Sequence, residues 1–280
     1  MNSNKSIGFH LQTNSNQSID RRKFNGPDSS TPIPIAPSTV NDNNLTRSDG
    51  RSHDDIRPIH IHTSVISSAN GSCYIETNQL KLICAVYGPK PRPTTFPKTS
   101  SPLLIHVTFS PFSIKSQPTK SQSINDSQSL SNSLHQAILP SLILNSNEII
   151  DLHILILETD LNSNTLSHSI LSSTISLSLA GINSIGLVIS ISAIINSNSL
   201  LIDPINQEIQ ENSSLINLAI IPNLNSITLT SFMASSLNSS LPLQNFIDSL
   251  QSLQNSINLI HSLAIKAIQN DLEEKKTSGT

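Results

Sequence analysis

The stretch Gly71–Pro89, GSCYIETNQLKLICAVYGP, decides the fold of this chain. Apolar and polar residues alternate on both sides of a short polar interruption, which is the period-two pattern of strands with one buried face. The interruption, Thr77-Asn78-Gln79, suits a tight turn because asparagine tolerates the positive φ that such turns need. The stretch predicts a β-hairpin whose second strand ends at Gly88-Pro89, since proline cannot donate to the ladder. The predicted buried positions are Cys73, Ile75, Leu80, Leu82, Cys84 and Val86.

The two cysteines of the chain fall opposite each other if the hairpin has this register. Cys73 and Cys84 are then either a disulfide or redox pair, or two buried thiols in a reducing compartment. We favour buried thiols, because free cysteine behaves as a small apolar residue. Two cysteines in 280 residues also exclude a small secreted scaffold held together by disulfides.

The composition is low in charge and rich in Ser and Asn. Charged residues make up 12% and hydrophobic residues 36%, and the formal net charge is −3. Isoleucine and leucine stay plentiful and periodic, so we expect a folded domain with a serine- and asparagine-rich surface. The charge balance excludes a strongly basic protein with a dedicated nucleic-acid face. Any contact with RNA is therefore expected to be local or shared with partners.

Neither the polar first residues nor the uncharged segment Leu161–Ile202 indicates a secreted or membrane protein. The first residues are polar and contain no apolar core of a signal peptide. Leu161–Ile202 lacks Asp, Glu, Lys and Arg, but Ser, Asn and Gly interrupt it too often for a membrane span. We expect this segment to form a core helix capped by Gly181, followed by a strand buried on both faces.

Periodicity along the chain predicts a single α+β domain. Residues 1–45 are rich in Ser, Asn and Pro and are predicted to be a disordered tail. Residues 46–275 are predicted to be the domain, with flexible insertions near 94–102 and 113–128. The predicted strands cover 59–63, 103–109, 149–157, 187–195, 200–202, 215–221 and 227–230. The predicted helices cover 130–138, 165–180 and a long C-terminal stretch from Leu243 to Ile268.

The sequence of the hairpin resembles that of the RNase PH family, and within this family that of the ring subunits of the eukaryotic RNA exosome. The shared pattern is Gly71-Ser72-x-Tyr74-x-Glu76, then Lys81, then Val86-Tyr87-Gly88-Pro89. Upstream, Arg47-Ser48-Asp49-Gly50-Arg51 and Arg57-Pro58-Ile59 stand where the family has its Asp-Gly-Arg signature. The resemblance covers roughly residues 46–275. It implies the RNase PH-like fold, of the ribosomal protein S5 domain 2-like class, with mixed sheets and packed helices.

The resemblance also implies that the catalytic groups of the family are lost here. Active members place an acidic pair and Gly-Gly-Thr-Arg after the central strand, where this chain has Leu157–Thr165 with neither the glycines nor the arginine. Asp160 keeps one possible carboxylate. A second acidic position falls at Ser214–Asn217, and an arginine-rich segment falls at Ser121–Ser133, which has no arginine. A site without its cations cannot gather phosphate and RNA ends, so we expect no catalytic residues, no metal and no cofactor.

By resemblance, the expected function is that of a structural exosome ring subunit. Phe109–Phe112, Leu157–Asp160, Leu201–Pro204 and Ile220–Asn225 look most like the ring subunit named for an mRNA-transport defect. The expected partners are other RNase PH-like ring subunits, RNA-binding cap subunits and RNA in the channel. The expected location is nucleus, nucleolus and cytoplasm. The alternative is an active phosphorolytic 3′-to-5′ exoribonuclease of the same family. A second alternative, a serine- and asparagine-rich surface or adhesion protein, would need a secretion signal, and the polar first residues do not match one.

Two further sets of residues are candidates for binding. Lys90 and Arg92 follow Gly88-Pro89 on a proline-stiffened segment, and basic side chains there could hold RNA phosphates without reading sequence. The alternative is an exposed charged loop. His60 and His62 share one strand face and could bind a metal. We favour solvent-facing histidines, because no Cys, Asp or Glu is placed to complete the site.

Overall fold

The fold is described from a computed structural model. It describes residues 47, 49–93, 101–113, 120–145, 147–159, 162–195, 200–209, 213–234 and 243–278. The described elements belong to one compact unit, Leu45–Thr280. The predicted tail, residues 1–45, and most of the predicted insertion at 94–102 lie outside the described residues.

The predicted hairpin is confirmed as strands β2 (Gly71–Thr77) and β3 (Leu80–Pro91). Cys73 and Cys84 are directly opposite each other in the register, and both are free and fully buried. Burial raises the pKa of the Cys84 thiol to about 11, although serine hydroxyls of a neighbouring helix lower it slightly. Both thiols therefore stay protonated at neutral pH, which agrees with the buried-thiol interpretation.

The prediction that the second strand ends at Gly88-Pro89 is wrong. Strand β3 continues to Pro91 and pairs with β5 (Glu148–Glu158). A register shift between Tyr87 and Lys90 removes the cis Gly88-Pro89 step from the ladder. The irregularity accommodates a residue that cannot donate a hydrogen bond, so the pairing resumes at Lys90 opposite Ile149.

The hairpin belongs to a mixed five-stranded sheet in the order β1-β2-β3-β5-β4. Strand β1 is His60–Thr63 and β4 is Leu103–Phe109. All neighbours are antiparallel except β4 and β5, which run parallel and are joined through helix α1 (Lys120–Ile138). This helix begins within the segment predicted as a flexible insertion, so that prediction is wrong for residues 120–128. Its buried apolar residues begin at Leu130, and residues 124–129 are mostly exposed, which is why periodicity did not predict the first half of the helix.

A second sheet, in the order β7-β6-β8-β9, is wholly antiparallel. Its strands are β6 (Ile189–Ile195), β7 (Leu200–Ile202), β8 (Ser214–Ile221) and β9 (Ser226–Ala234). Helix α2 (Asn162–Leu179) packs against β2 and β3 on one side and β6 and β8 on the other, so it lies between the two sheets. Helix α3 (Leu243–Ser278) packs against β6, β8 and β1. Within the described residues, no helix is long and apolar enough to cross a membrane.

Helix α2 is buried on all sides although it is rich in serine. Its hydroxyls donate to carbonyl oxygens of the preceding turn, as Ser173 does to Ser169 at 2.6 Å and Ser176 to Ser172 at 2.8 Å. Buried polar groups satisfied in this way cost little. Gly71 lets β2 approach the helix closely, because a Cβ there would lie 2.6 Å from the Ala180 nitrogen. Gly181, with φ +73°, ends the helix as predicted.

Arginine–carboxylate pairs fasten the segment before β1 to the second sheet. Arg57 donates through its backbone N–H, Nε and Nη2 to the carboxylate of Asp203 at 3.0, 2.9 and 2.6 Å. Both side chains are almost completely buried. Arg47 pairs with Glu208 at 3.1 Å, and Arg51 donates to the carbonyl of Asp203. We call the residues Arg47, Arg51, Arg57, Asp203 and Glu208 the arginine clamp.

The clamp sets the ionisation of Asp203. Burial alone would raise the pKa of this carboxyl, but the hydrogen bonds and charge of Arg57, with the charge of His168, outweigh burial and hold the pKa below its ordinary value. A carboxyl whose pKa is lowered on folding adds stability above its unfolded pKa. That stability is lost as the pH falls through the folded pKa.

Replacing Asp203 with Asn is expected to lower the free energy of unfolding by about 3–5 kcal/mol, because Arg57 is left buried without a counter-charge. Urea denaturation at neutral pH measures the loss. In acid the wild type loses the contribution of Asp203 while the variant has none to lose, so the two stabilities converge as the pH falls.

Lys81→Gln is the matched control, because Lys81 pairs with Glu158 at 3.2 Å in solvent, with 38% of its side chain exposed. Its unfolding midpoint should stay at the wild-type value. If Asp203→Asn unfolds with the same free energy as the wild type, the buried pair does not hold the segment before β1 on the second sheet.

Candidate functional site

The start of helix α2 is the position at which active relatives are expected to bind phosphate. Asp160 lies outside the described residues, and the side chains of residues 162 and 163 are likewise not described. Asn164 is fully buried. Its amide nitrogen donates to the carbonyl of Pro204 at 2.6 Å, and its Oδ1 accepts from the hydroxyl of Ser192. Asn164 therefore joins α2 to the second sheet, and its amide cannot turn towards a phosphate without breaking those bonds.

The remaining positions of the expected catalytic site also lack the charged residues that the resemblance implies there. Ser214 and Asn217 are buried in β8, where Ser214 pairs with Ile195 and Asn217 with Ser192 of β6. Residues 124–133 form part of α1. The sequence itself shows that neither stretch has an arginine. Across the described residues, the clamp arginines face carboxylates of the chain's own C-terminal half.

A small cleft beside α2 is lined by Ser167, His168, Ser190, Asp203 and apolar side chains. The cleft has no lysine or arginine among its lining residues, and it contains the carboxylate of Asp203. Asp203 is paired with the buried Arg57, so its carboxylate is not a free negative charge in this cleft. The described part of the expected site therefore offers no cationic cradle for phosphorolysis.

Lys90 and Arg92 lie at the far end of β3, beyond the irregularity. The Lys90 side chain is 54% exposed, and its Nζ lies 2.9 Å from Asp151 Oδ2 and 5.6 Å from the centre of the Tyr87 ring. Arg92 is half-buried, and its backbone N–H donates to the carbonyl of Asn147. Lys90 thus lies on a paired strand and has an acidic partner, whereas Arg92 directly follows the strand and its backbone is hydrogen-bonded.

Three aromatic rings continue from Lys90 across the outward face of the first sheet. The rings of Tyr87 and His153 meet edge to face at 5.6 Å, and those of His153 and His106 stack at 4.9 Å with 26° between their planes. Both histidines are exposed. We call Tyr87, His106 and His153 the histidine–tyrosine cluster. Sequence reasoning missed it, because the register His106↔His153 joins two strands that are separated in the sequence by helix α1.

His60 and His62 are exposed on β1, as the favoured interpretation predicted. The ring of His62 stacks with that of Tyr74 at 6.2 Å, and the Tyr74 hydroxyl donates to Glu76 at 3.0 Å. No cluster of three or more His, Cys, Asp or Glu side chains suited to a metal ion is found in the described ranges. The metal interpretation of His60 and His62 therefore gains no support from their surroundings.

Comparisons with known proteins give the family of the chain. Residues 55–183 match the family model RNase_PH, described as "3' exoribonuclease family, domain 1". The exosome complex component Rrp41 of Pyrococcus furiosus is 32% identical over 192 residues, which cover 67% of this chain and 76% of that protein. The exosome complex component mtr3 of Schizosaccharomyces pombe is 30% identical over 151 residues, 53% of this chain and 58% of that protein.

A solved structure supports the fold. The crystal structure of rice Rrp46 superimposes with a TM-score of 0.63 at 18% sequence identity, over 80% of this chain and all of that chain. The predicted α+β, RNase PH-like architecture of mixed sheets with packed helices is therefore confirmed. Given the hairpin, the matched family model and the extent of the likeness to Rrp41, the chain belongs to the RNase PH family.

Proposed function

We propose that this chain is a non-catalytic, structural subunit of an exosome ring, most similar in role to the mtr3 type. In this role it supports 3′-to-5′ RNA processing and degradation, including rRNA maturation, mRNA turnover and RNA surveillance, in nucleus, nucleolus and cytoplasm. It packs beside other RNase PH-like subunits, supports RNA-binding cap subunits and lines part of the RNA channel. The relatives named as exosome components support the assembly, and the site chemistry supports the lack of catalysis.

The single observation that carries the non-catalytic part is the environment of Asn164. Phosphorolysis adds phosphate across a phosphodiester, so the enzyme must hold two polyanions and stabilise their charge in the transition state. Asn164 falls within the stretch that replaces Gly-Gly-Thr-Arg, and it bonds Pro204 and Ser192 in the core. A neutral amide committed to the interior supplies no charge to phosphate, so the role of the helix end here is structural.

Exposed apolar side chains on an edge strand favour assembly with neighbours. Strand β9 is at the edge of the second sheet, and Ile227, Phe232 and Met233 are 55%, 45% and 62% exposed. An edge strand with exposed apolar residues and few charges is prone to pair with another chain unless a partner covers it. A neighbouring ring subunit would provide that cover.

The full chain incubated with single-stranded RNA and inorganic phosphate is expected to release no nucleoside diphosphates. An RNase PH enzyme that keeps Gly-Gly-Thr-Arg serves as the positive control under the same conditions. Release of nucleoside diphosphates above the protein-free background would establish the alternative, an active phosphorolytic exoribonuclease.

When a tagged form of the chain is expressed in the organism from which it comes, it is expected to co-purify with other RNase PH-like exosome subunits. Mass spectrometry identifies these subunits. Expressed alone, the chain should be poorly soluble, and co-expression with a ring partner should restore solubility, because the partner covers apolar edges. A stable, dilute monomer that captures no exosome subunit contradicts the proposed assembly.

Replacing both Lys90 and Arg92 with Ala is expected to reduce RNA crosslinking to this subunit in the assembled ring by about fivefold, since two cationic contacts with phosphates are lost. Lys81→Ala, at the other end of β3, is the matched control and should crosslink as the wild type does. Equal crosslinking of the double variant and the wild type would leave Lys90 and Arg92 as ordinary exposed charges.

A further inference from the structure

The outward face of the first sheet has a feature that ring assembly does not require. The histidine–tyrosine cluster crosses β3, β5 and β4 in one row, on the face that points away from α2. His153 alternates along β5 with the buried residues Leu152 and Ile154, so its ring points outward. Three rings in contact on an exposed sheet face give this surface a flat area that a planar group could stack on.

The row has an open end and a cationic end. His106 belongs to β4, which is the edge strand of the sheet, so the register places no further strand beside its ring. At the other end the ammonium group of Lys90 lies over the Tyr87 ring, and Arg92 follows two residues later. Flat rings beside cationic side chains are the combination that binds single-stranded nucleic acid, in which bases stack and phosphates meet lysine or arginine.

We propose that the histidine–tyrosine cluster is a stacking platform for unpaired RNA bases, continuous with Lys90 and Arg92. The inference rests on the proposed function, because it names how this subunit holds RNA that passes the ring. A base stacks on the open side of His106 or between the exposed rings, and the adjacent phosphates lie towards Lys90. Recognition is independent of sequence, since every base has a π face.

The charges around the cluster make binding depend on pH. The groups that face His153 are His106 on β4, Tyr87 and Lys90 on β3, and Asp151 on β5. Partial burial, followed by the charges of His106 and Lys90, lowers the pKa of His153, and Asp151 opposes this change. Nearby phosphates favour the charged imidazolium, so RNA binding takes up a proton. Affinity therefore rises as the pH falls towards 6.

A protein partner is the other candidate occupant of this sheet face, and the charges beside the rings favour RNA. The second stacked pair on the face, His62 with Tyr74, is bonded to Glu76 and has no cation over its rings. Near this pair one cation, Lys81, is shared by the carboxylates of Glu76 and Glu158. The histidine–tyrosine cluster instead has two basic residues, Lys90 and Arg92, and the single carboxylate of Asp151 beside Lys90. The His62–Tyr74 pair therefore serves as a control for the histidine–tyrosine cluster on the same sheet face.

The test measures binding of a short fluorescent oligouridine to the full chain, alone and within the co-purified ring, by fluorescence anisotropy. His106→Ala with His153→Ala is expected to weaken binding about tenfold, the equivalent of one lost stacking contact. Tyr87→Leu, which keeps the apolar bulk, should also weaken binding. A duplex of the same length should bind more weakly than the single strand. Wild-type affinity should rise several-fold from about pH 8 to about pH 6, and this rise should vanish in the double histidine variant.

Control variants separate the platform from its alternatives. His62→Ala with Tyr74→Leu should bind oligouridine as the wild type does, and urea midpoints should confirm that all variants are folded. The stacking proposal is overturned if His106→Ala with His153→Ala binds RNA as the wild type does, or if the wild type does not bind RNA. In either case, co-purification with exosome subunits would still support the proposed function. The proposal is also overturned if the His106→Ala, His153→Ala variant no longer joins the ring but binds RNA normally. This result would identify the sheet face as a protein interface. Failure of the wild type to co-purify with exosome subunits contradicts the proposed function instead.

Discussion

The pair of Arg57 and Asp203 is the interaction on which the rest of the structure depends. It joins residues 146 positions apart and brings the segment before the first sheet onto the end of β7. With three hydrogen bonds and a nearly dry environment, the pair has a geometry that compensates for the desolvation of both charges. The family signature at Arg47–Arg51 adds to the same clamp, so the arginines of the signature hold parts of the domain together.

This use of cations makes the fold independent of a bound anion. Helix α2 is held by contacts with both sheets and by Asn164, none of which requires a bound anion. Asn164 bonds to Pro204 and Ser192 and so fixes the start of the helix in the core. An arginine at position 164 would bury a charge in a place where the neutral amide now fits.

Local patterns in the sequence predicted most of the fold, and non-local contacts account for what they missed. The hairpin, the buried helix and the long C-terminal helix follow from periodicity within single elements. The continuation of β3 past Pro89 depends on its pairing with β5, and the early start of α1 depends on anchors in its second half. The contact of His106 with His153 likewise arises only when two separate strands lie side by side. None of these leaves a signal in a window of ten residues.

The serine- and asparagine-rich composition has opposite consequences inside and outside the domain. Inside, serine suits a helix confined between two sheets, because it is small and its hydroxyl bonds to the helix's own carbonyls. Outside, serine and asparagine replace the lysines and glutamates that normally keep edge strands apart. With only 12% charged residues, the exposed edge at β9 lacks that protection. Because charge does not protect this edge, a neighbouring chain that covers it would remove its tendency to pair non-specifically.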